Sequence, residues 1–236
     1  MDGELIERCR AGDREAFGRL VERHQGLVFG VALAATGDTA RAEDVAQEAF
    51  VVAWRELGKL REVEKFPAWV AGIARNLART QKRSWARRQR EVERAAPAPE
   101  ADEKTPFDEV ATREDRALLE EALAAVPSAH REALVLYYLE GESIAEVSRR
   151  LGISEALMKQ RLSRGRRALR GSWAERLGPA LARARPGAAF TAAVVASVAA
   201  SAVSQAAPVA AGKVLTTMSI TKKASIVAAV AAVGGG

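Results

Sequence analysis

GESIAEVSRRLGISEALMKQRLSRGRRALR, residues 141 to 170, decides the fold. Gly141-Glu142-Ser143 opens a short helix from Ile144 to Leu151, Gly152 supplies the turn, and Ser154 caps a second helix running to about Arg170. Ile144, Val147, Leu151, Ile153, Leu157 or Met158, and Leu162 form one apolar set, with Ala145 and Ser148 small enough to let two helices cross closely. Two short helices locked around a glycine turn make a helix-turn-helix. On the second helix Lys159, Gln160, Ser163, Arg164 and Arg167 share a polar face. Arg, Lys and Gln on such a face read base edges in a major groove, while further Arg and Ser hold phosphates. A merely solvated basic face is the bland alternative. Because the caps, the turn glycine and the apolar spacing coincide, DNA reading is the better account.

Charge extends this reading outward. Arg149 to Arg170 holds eight Lys/Arg against the single acid Glu155, and Arg75 to Arg90 holds seven with no acid. Between Ala95 and Pro127 the balance reverses, with nine Asp/Glu against three Lys/Arg. Two basic faces separated by an acidic stretch suit two contacts on one long polyanion, since each cation at a phosphate releases condensed counterions. On the earlier segment Arg75, Arg79, Lys82 or Arg83, and Arg87 line one helix face. Asn76 beside them has an amide able to pair with a base edge. Trp85 either stacks on an exposed base or, the better reading, packs against the end of its domain. The net charge of +6 fits nucleic acid or an anionic membrane surface. The single cysteine, Cys9, excludes a disulfide framework or Cys-based metal site within the chain. His24 and His130 lack ligand-like neighbours, so neither a metal nor a cofactor is expected. The opening MDGELIERCR has no apolar signal region, which predicts a cytoplasmic body.

Strand-type alternation is absent, so the expectation is an all-α chain of two small helical domains. Residues 2 to 10 form a helix stopped by Ala11-Gly12, and Asp13 caps a second carrying Phe17, Leu20, Val21, Leu27, Val28 and Val31. Thr36-Gly37-Asp38 breaks it. A third helix, 39 to 57, turns Val45, Ala49, Val52 and Ala53 inward and shows a polar face of Asp44, Gln47 and Glu48. No histidine, glycine loop or second carboxylate cluster converges on that face, so it reads as a protein-binding surface rather than a catalytic one. Pro67 opens a fourth helix, with Phe66, Trp69, Val70, Ile73 and Leu77 as its core line. These elements make a domain over 1–94. Residues 95–112, with Pro97, Pro99 and Pro106 among many acids, read as a flexible acidic linker. A helix-turn-helix domain follows over 113–177, then an Ala-rich tail over 178–236. Within the tail Pro186 to Gly212 carries no charge, long enough to cross a bilayer but poor in Leu and Ile. Residues 187–212 are therefore either a membrane segment or part of a disordered extension.

The succession AEDVAQEAF (42–50), FPAWVAGIARN (66–76) and LEEALAAVPSAHREALVLYYLEGESIAEVSRRLGISEALMKQRLSRGRRAL (119–169) resembles bacterial RNA polymerase sigma factors of the extracytoplasmic-function (ECF) type. These keep only sigma regions 2 and 4, and the resemblance covers about residues 1 to 94 and 113 to 172. It implies a promoter-specificity subunit with no enzymatic activity, whose partners are core RNA polymerase and promoter DNA. Regulation by occlusion is implied too, through an anti-sigma factor or the chain's own tail. Asp44, Gln47 and Glu48 match the face that grips the polymerase clamp helices. Leu60 to Phe66 with Asn76 match the part that traps a flipped base of the minus-ten element, and Lys159, Gln160, Ser163 and Arg164 match positions facing the minus-thirty-five element. Two departures stand out: Ala156-Leu157-Met158 where the family often has Gly-Thr-Val, which removes a Thr hydroxyl, and Ser148 for the usual Ala. The rival readings are a stand-alone helix-turn-helix regulator and a membrane-tethered adaptor.

Overall fold

Stops and caps visible in the chain set helix after helix. The computed structural model describes residues 2–92, 113–169 and 173–205. α1 (Asp2–Arg10) gives way to α2 (Arg14–Thr36), whose first turn is capped by Asp13 Oδ1 accepting the Ala16 N–H at 3.0 Å. Gly37, with φ of 72°, ends α2, and Asp38 caps α3 (Thr39–Glu56) by accepting the Arg41 N–H at 2.8 Å. Two single 3-10 turns carry the following loop into α4 (Phe66–Val92). After the linker come α5 (Arg113–Ala124), α6 (Ser128–Glu140), α7 (Ile144–Leu151), α8 (Glu155–Ala168), α9 (Trp173–Arg183) and α10 (Ala188–Gln205). Among the described residues there is no strand, and the all-α expectation holds. The linker 95–112 lies outside the described residues.

In the first half Phe17 packs edge-on against Phe50 at 6.4 Å and against Trp54 at 5.0 Å, tying α2 to α3. On α4 the fully buried line is Phe66, Val70, Ala71, Ala74 and Ala78, whereas Trp69, Ile73 and Leu77 are only half-buried. The alanine line lets α4 approach its neighbours closely, and the bulkier residues wrap the edge of that contact. Val52 is likewise half-buried, its neighbour Val51 taking the inner position. α1 is held at its start by Asp2, which accepts from His24 Nε2 at 2.9 Å and from Arg23 at 2.5 Å. Cys9 is buried, and desolvation pushes its thiol up to about 12.

In the second half α6 is central, with Leu134, Val135, Leu136 and Leu139 buried. α8 crosses it at Gly165, where a Cβ would come within 2.7 Å of the Leu134 side chain. α9 covers α5 and α6, with Leu177 and Leu181 buried. The two halves are in intimate contact, and Met1 to Val203 form one compact unit. The seam runs between α2 and α6. A Cβ at Gly30 would lie 2.6 Å from Leu136, and one at Gly26 would land on the Glu140 carboxylate.

The structure differs from expectation in the tail. Residues 188–205 form α10, which lies on the first half: Phe190, Val194 and Val198 are buried, and Phe190 meets Phe50 edge-on at 6.1 Å. Thr191 Oγ1 donates to Gln25 Oε1 at 3.2 Å. One face of this helix is packed on protein. Its exposed positions are mainly Ala, and Ser197 and Ser201 satisfy their hydroxyls on the carbonyls four residues back. No helix among the described residues is long and apolar enough to cross a membrane, so the membrane expectation for 187–212 finds no support. Residues 206–236 lie outside the described residues.

Candidate nucleic-acid interface

The helix-turn-helix is assembled by short-range contacts. Ser143 Oγ accepts the Glu146 N–H at 3.2 Å and Ser154 Oγ accepts the Leu157 N–H at 3.3 Å. Between them Gly152 takes φ of 67°, a left-handed conformation that a side chain resists. Val147, Leu151, Met158 and Leu162 are buried while Leu157 is half-buried, so Met158 fills the core position that the spacing left open. Ser148 sits in the crossing at 2% exposure, but Ala145 is exposed and plays no part in it.

With its apolar side spent on α6 and α7, α8 turns Lys159, Gln160, Ser163, Arg164 and Arg167 to solvent. Lys159 reaches Glu155 at 3.2 Å, an exposed pair of little strength that leaves the ammonium available. Charge counting had overstated this surface. Arg166 lies over the rings of Tyr137 and Tyr138 at 5.1 and 5.6 Å and donates to the Tyr138 hydroxyl at 3.1 Å. Arg150 is buried and bonded to Glu140 and Glu142. Burial opposes its charge, but the two carboxylates outweigh that and hold its pKa above the ordinary value. It braces α7 against the end of α6.

On α4 the residues Asn76, Arg79, Lys82, Arg83 and Arg87 are exposed. Arg75 is not free: its guanidinium makes a forked pair with Glu132 of α6, at 2.6 and 3.1 Å. Trp85 is half-buried beneath the Arg41 guanidinium, 4.9 Å from its ring centre. In the loop before α4, Leu60 and Phe66 are buried and anchor its ends, while Arg61, Glu62, Glu64 and Lys65 are exposed between them. On α3, Asp44 and Glu48 are exposed and Gln47 is half-buried, with Glu48 accepting from Gln81 at 2.5 Å.

The turn of the helix-turn-helix lies against the first turn of α4. A Cβ added at the turn residue Gly152 would sit 3.7 Å from the Cβ of Ala68 in the first turn of α4. Thr39 N–H donates to Glu120 at 3.1 Å and Arg131 donates to the carbonyl of Ala34 at 3.5 Å, both across the seam, while Arg131 also donates to the Val126 carbonyl at 3.0 Å within its own half. Reasoning along the chain missed Gly26, Gly30, Glu132 and Glu140. The signal for the glycines was present, since two glycines one turn apart inside a helix mark a close helix contact.

Comparison with known proteins bears on these surfaces. Sigma-70 region 2 matches residues 20–89, and Sigma-70 region 4 matches residues 116–169. The probable RNA polymerase sigma factor RfaY of Xanthomonas campestris is 39% identical over 196 residues, 81% of this chain and 49% of that protein. The ECF RNA polymerase sigma factor SigL of Mycobacterium tuberculosis is 36% identical over 152 residues, 64% of this chain and 85% of that protein. This chain thus spans about half of the former and most of the latter. Among solved structures, CnrH in complex with the cytosolic domain of CnrY aligns at a TM-score of 0.49 and 26% identity, covering 71% of this chain and 94% of that chain.

Proposed function

Since the chain belongs to the RNA polymerase sigma factors of the ECF type, we propose that it binds core RNA polymerase through the α3 face of Asp44, Gln47 and Glu48. In that complex α4 and its preceding loop engage the minus-ten element, with Asn76 at a base and Arg75, Arg79, Lys82 and Arg83 at the backbone. α8 lies in the major groove of the minus-thirty-five element, with Lys159, Gln160, Ser163 and Arg164 toward bases and Arg167 toward phosphate. The chain does no chemistry of its own. It supplies the sequence preference that the polymerase lacks.

The observation that carries this reading is α8: every polar residue singled out on its outer face is exposed while its inner face is buried in a capped helix-turn-helix. An anti-sigma factor is the partner expected to oppose it. Run-off transcription with core polymerase on a random promoter library tests the reading. The expected result is enrichment of a two-part promoter that requires both core and this chain. Promoter binding of equal strength without core would favour the stand-alone regulator, and no core-dependent transcript would overturn the assignment.

A further inference from the structure

The described fold holds the turn of the helix-turn-helix against the start of α4, whereas the elements that α8 and α4 would read lie far apart. The names minus ten and minus thirty-five place them about 25 base pairs from each other, or roughly 85 Å along B-DNA at 3.4 Å per base pair. A recognition unit whose turn residue Gly152 abuts Ala68 on α4 cannot engage both at once. Arg75 is meanwhile paired with Glu132 rather than available to a phosphate. The described form is therefore closed with respect to promoter.

The α2–α6 seam joins the halves directly, and the chain path adds a second tie. α9 packs on α5 and α6 of the second half, and α10 then crosses back to the first half. There Phe190, Val194 and Val198, spaced at i, i+4 and i+8, are all buried. Phe190 rests on Phe50 of α3, Thr191 bonds Gln25 of α2, and a Cβ at Gly18 of α2 would meet Val195 at 3.4 Å. At the α9–α10 joint the Arg185 Nε lies 3.5 Å from where a Gly26 Cβ would be, beside the Glu140 carboxylate in the seam. We propose that α9 and α10 form an intramolecular strap that docks in the α2–α3 groove and keeps the two DNA-reading halves folded together, so that its release precedes promoter engagement. This rests on the sigma-factor reading and adds a regulator carried within the same chain.

The composition of α10 suits a reversible contact. It anchors through one Phe and two Val on an Ala/Ser helix, a small apolar area compared with the Leu- and Phe-rich α2–α3 contact. A docked segment of that kind tunes the population of the open form rather than abolishing it.

The test uses the full chain. Gly18→Cys with Val195→Cys places two thiols within bridging reach, and the native Cys9 is buried and does not compete. Oxidised, this variant is expected to lose core-dependent transcription on the selected promoter by on the order of tenfold, and reductant is expected to restore it. Full activity of the bridged form would overturn the strap. In the opposite direction, Val194→Asp, and Phe190→Ala as the milder change, are expected to raise transcription at limiting protein several-fold. Both are also expected to lower energy transfer between dyes on Glu22→Cys and Glu121→Cys, at exposed positions of the two halves. A variant that keeps the parent's helical circular dichroism, energy transfer and transcription would refute the proposal; loss of helicity in Val194→Asp would leave Phe190→Ala and the disulfide pair to decide it. The energy-transfer readout needs neither polymerase nor DNA. Halves that open on Val194→Asp in a chain that never supports core-dependent transcription would therefore sink the sigma reading and spare the strap.

Discussion

Arg164 and Arg87 are both exposed cations on basic helices, yet they are placed for different work. Arg164 sits mid-face on α8, where a bidentate contact to a base discriminates by roughly 1–3 kcal/mol. Arg164→Ala is expected to change base preference in the upstream element, whereas Arg87→Ala weakens binding evenly across promoters and flattens its salt dependence. Binding profiles on a promoter library separate the two, and an unchanged profile for Arg164→Ala would count against base reading. At the other end of the chain, the hydrogen bond from His24, aided by Arg23, lowers the Asp2 carboxyl from 3.8 to about 2. Its stabilisation is fully present above pH 3.8 and is lost as pH falls through about 2. Asp2→Asn should cost roughly 1–2 kcal/mol in urea unfolding at pH 7 and almost nothing near pH 2.

At the scale of elements, what could be read along the chain was whatever is local. The caps at Asp13, Ser143 and Ser154 and the turn at Gly152 depend on residues within one helical turn, and each was legible. On α4 the reading placed Phe66 and Val70 inside and they are buried, with Trp69, Ile73 and Leu77 packed on the edge of the core. It missed Ala71, Ala74 and Ala78, because alanines carry little pattern of their own and only the neighbouring helices decide that they lie innermost. Gly165 shows the same limit: nothing nearby marks it as the point where α8 meets Leu134. Gly165→Ala should overpack that crossing and cost about 1–3 kcal/mol, seen as a lower Tm. On α3 the polar face lies away from the apolar contact. Asp44→Arg with Gln47→Arg is accordingly expected to weaken co-purification with core polymerase while leaving the circular dichroism unchanged; undiminished co-purification would argue for another surface.

For the whole molecule the seam and the strap were hidden, because α2 and α6 are separated by about a hundred residues and the tail's lack of charge fits several environments equally well. Glu132 is an ordinary helix acid until α6 is laid against α4. If opening frees Arg75, one more phosphate contact becomes available, and the salt slope of promoter binding should steepen by about 0.9 in Val194→Asp relative to the parent. The chain path through the two halves has another consequence. Besides the seam between α2 and α6, they are joined by the linker between α4 and α5 and again where α10 returns to α2 and α3, so the fold closes on itself like a loop of string tied at both ends. A protease that nicks the chain once between residues 93 and 112 should produce two fragments on a denaturing gel yet a single particle on size exclusion. A cut between α9 and α10 would leave both halves on one polypeptide with the seam alone to hold them together. Where a cell's proteases strike would then matter more than how often: clipping near residue 186 would switch such a protein on, while clipping the linker would leave a silent, nicked particle.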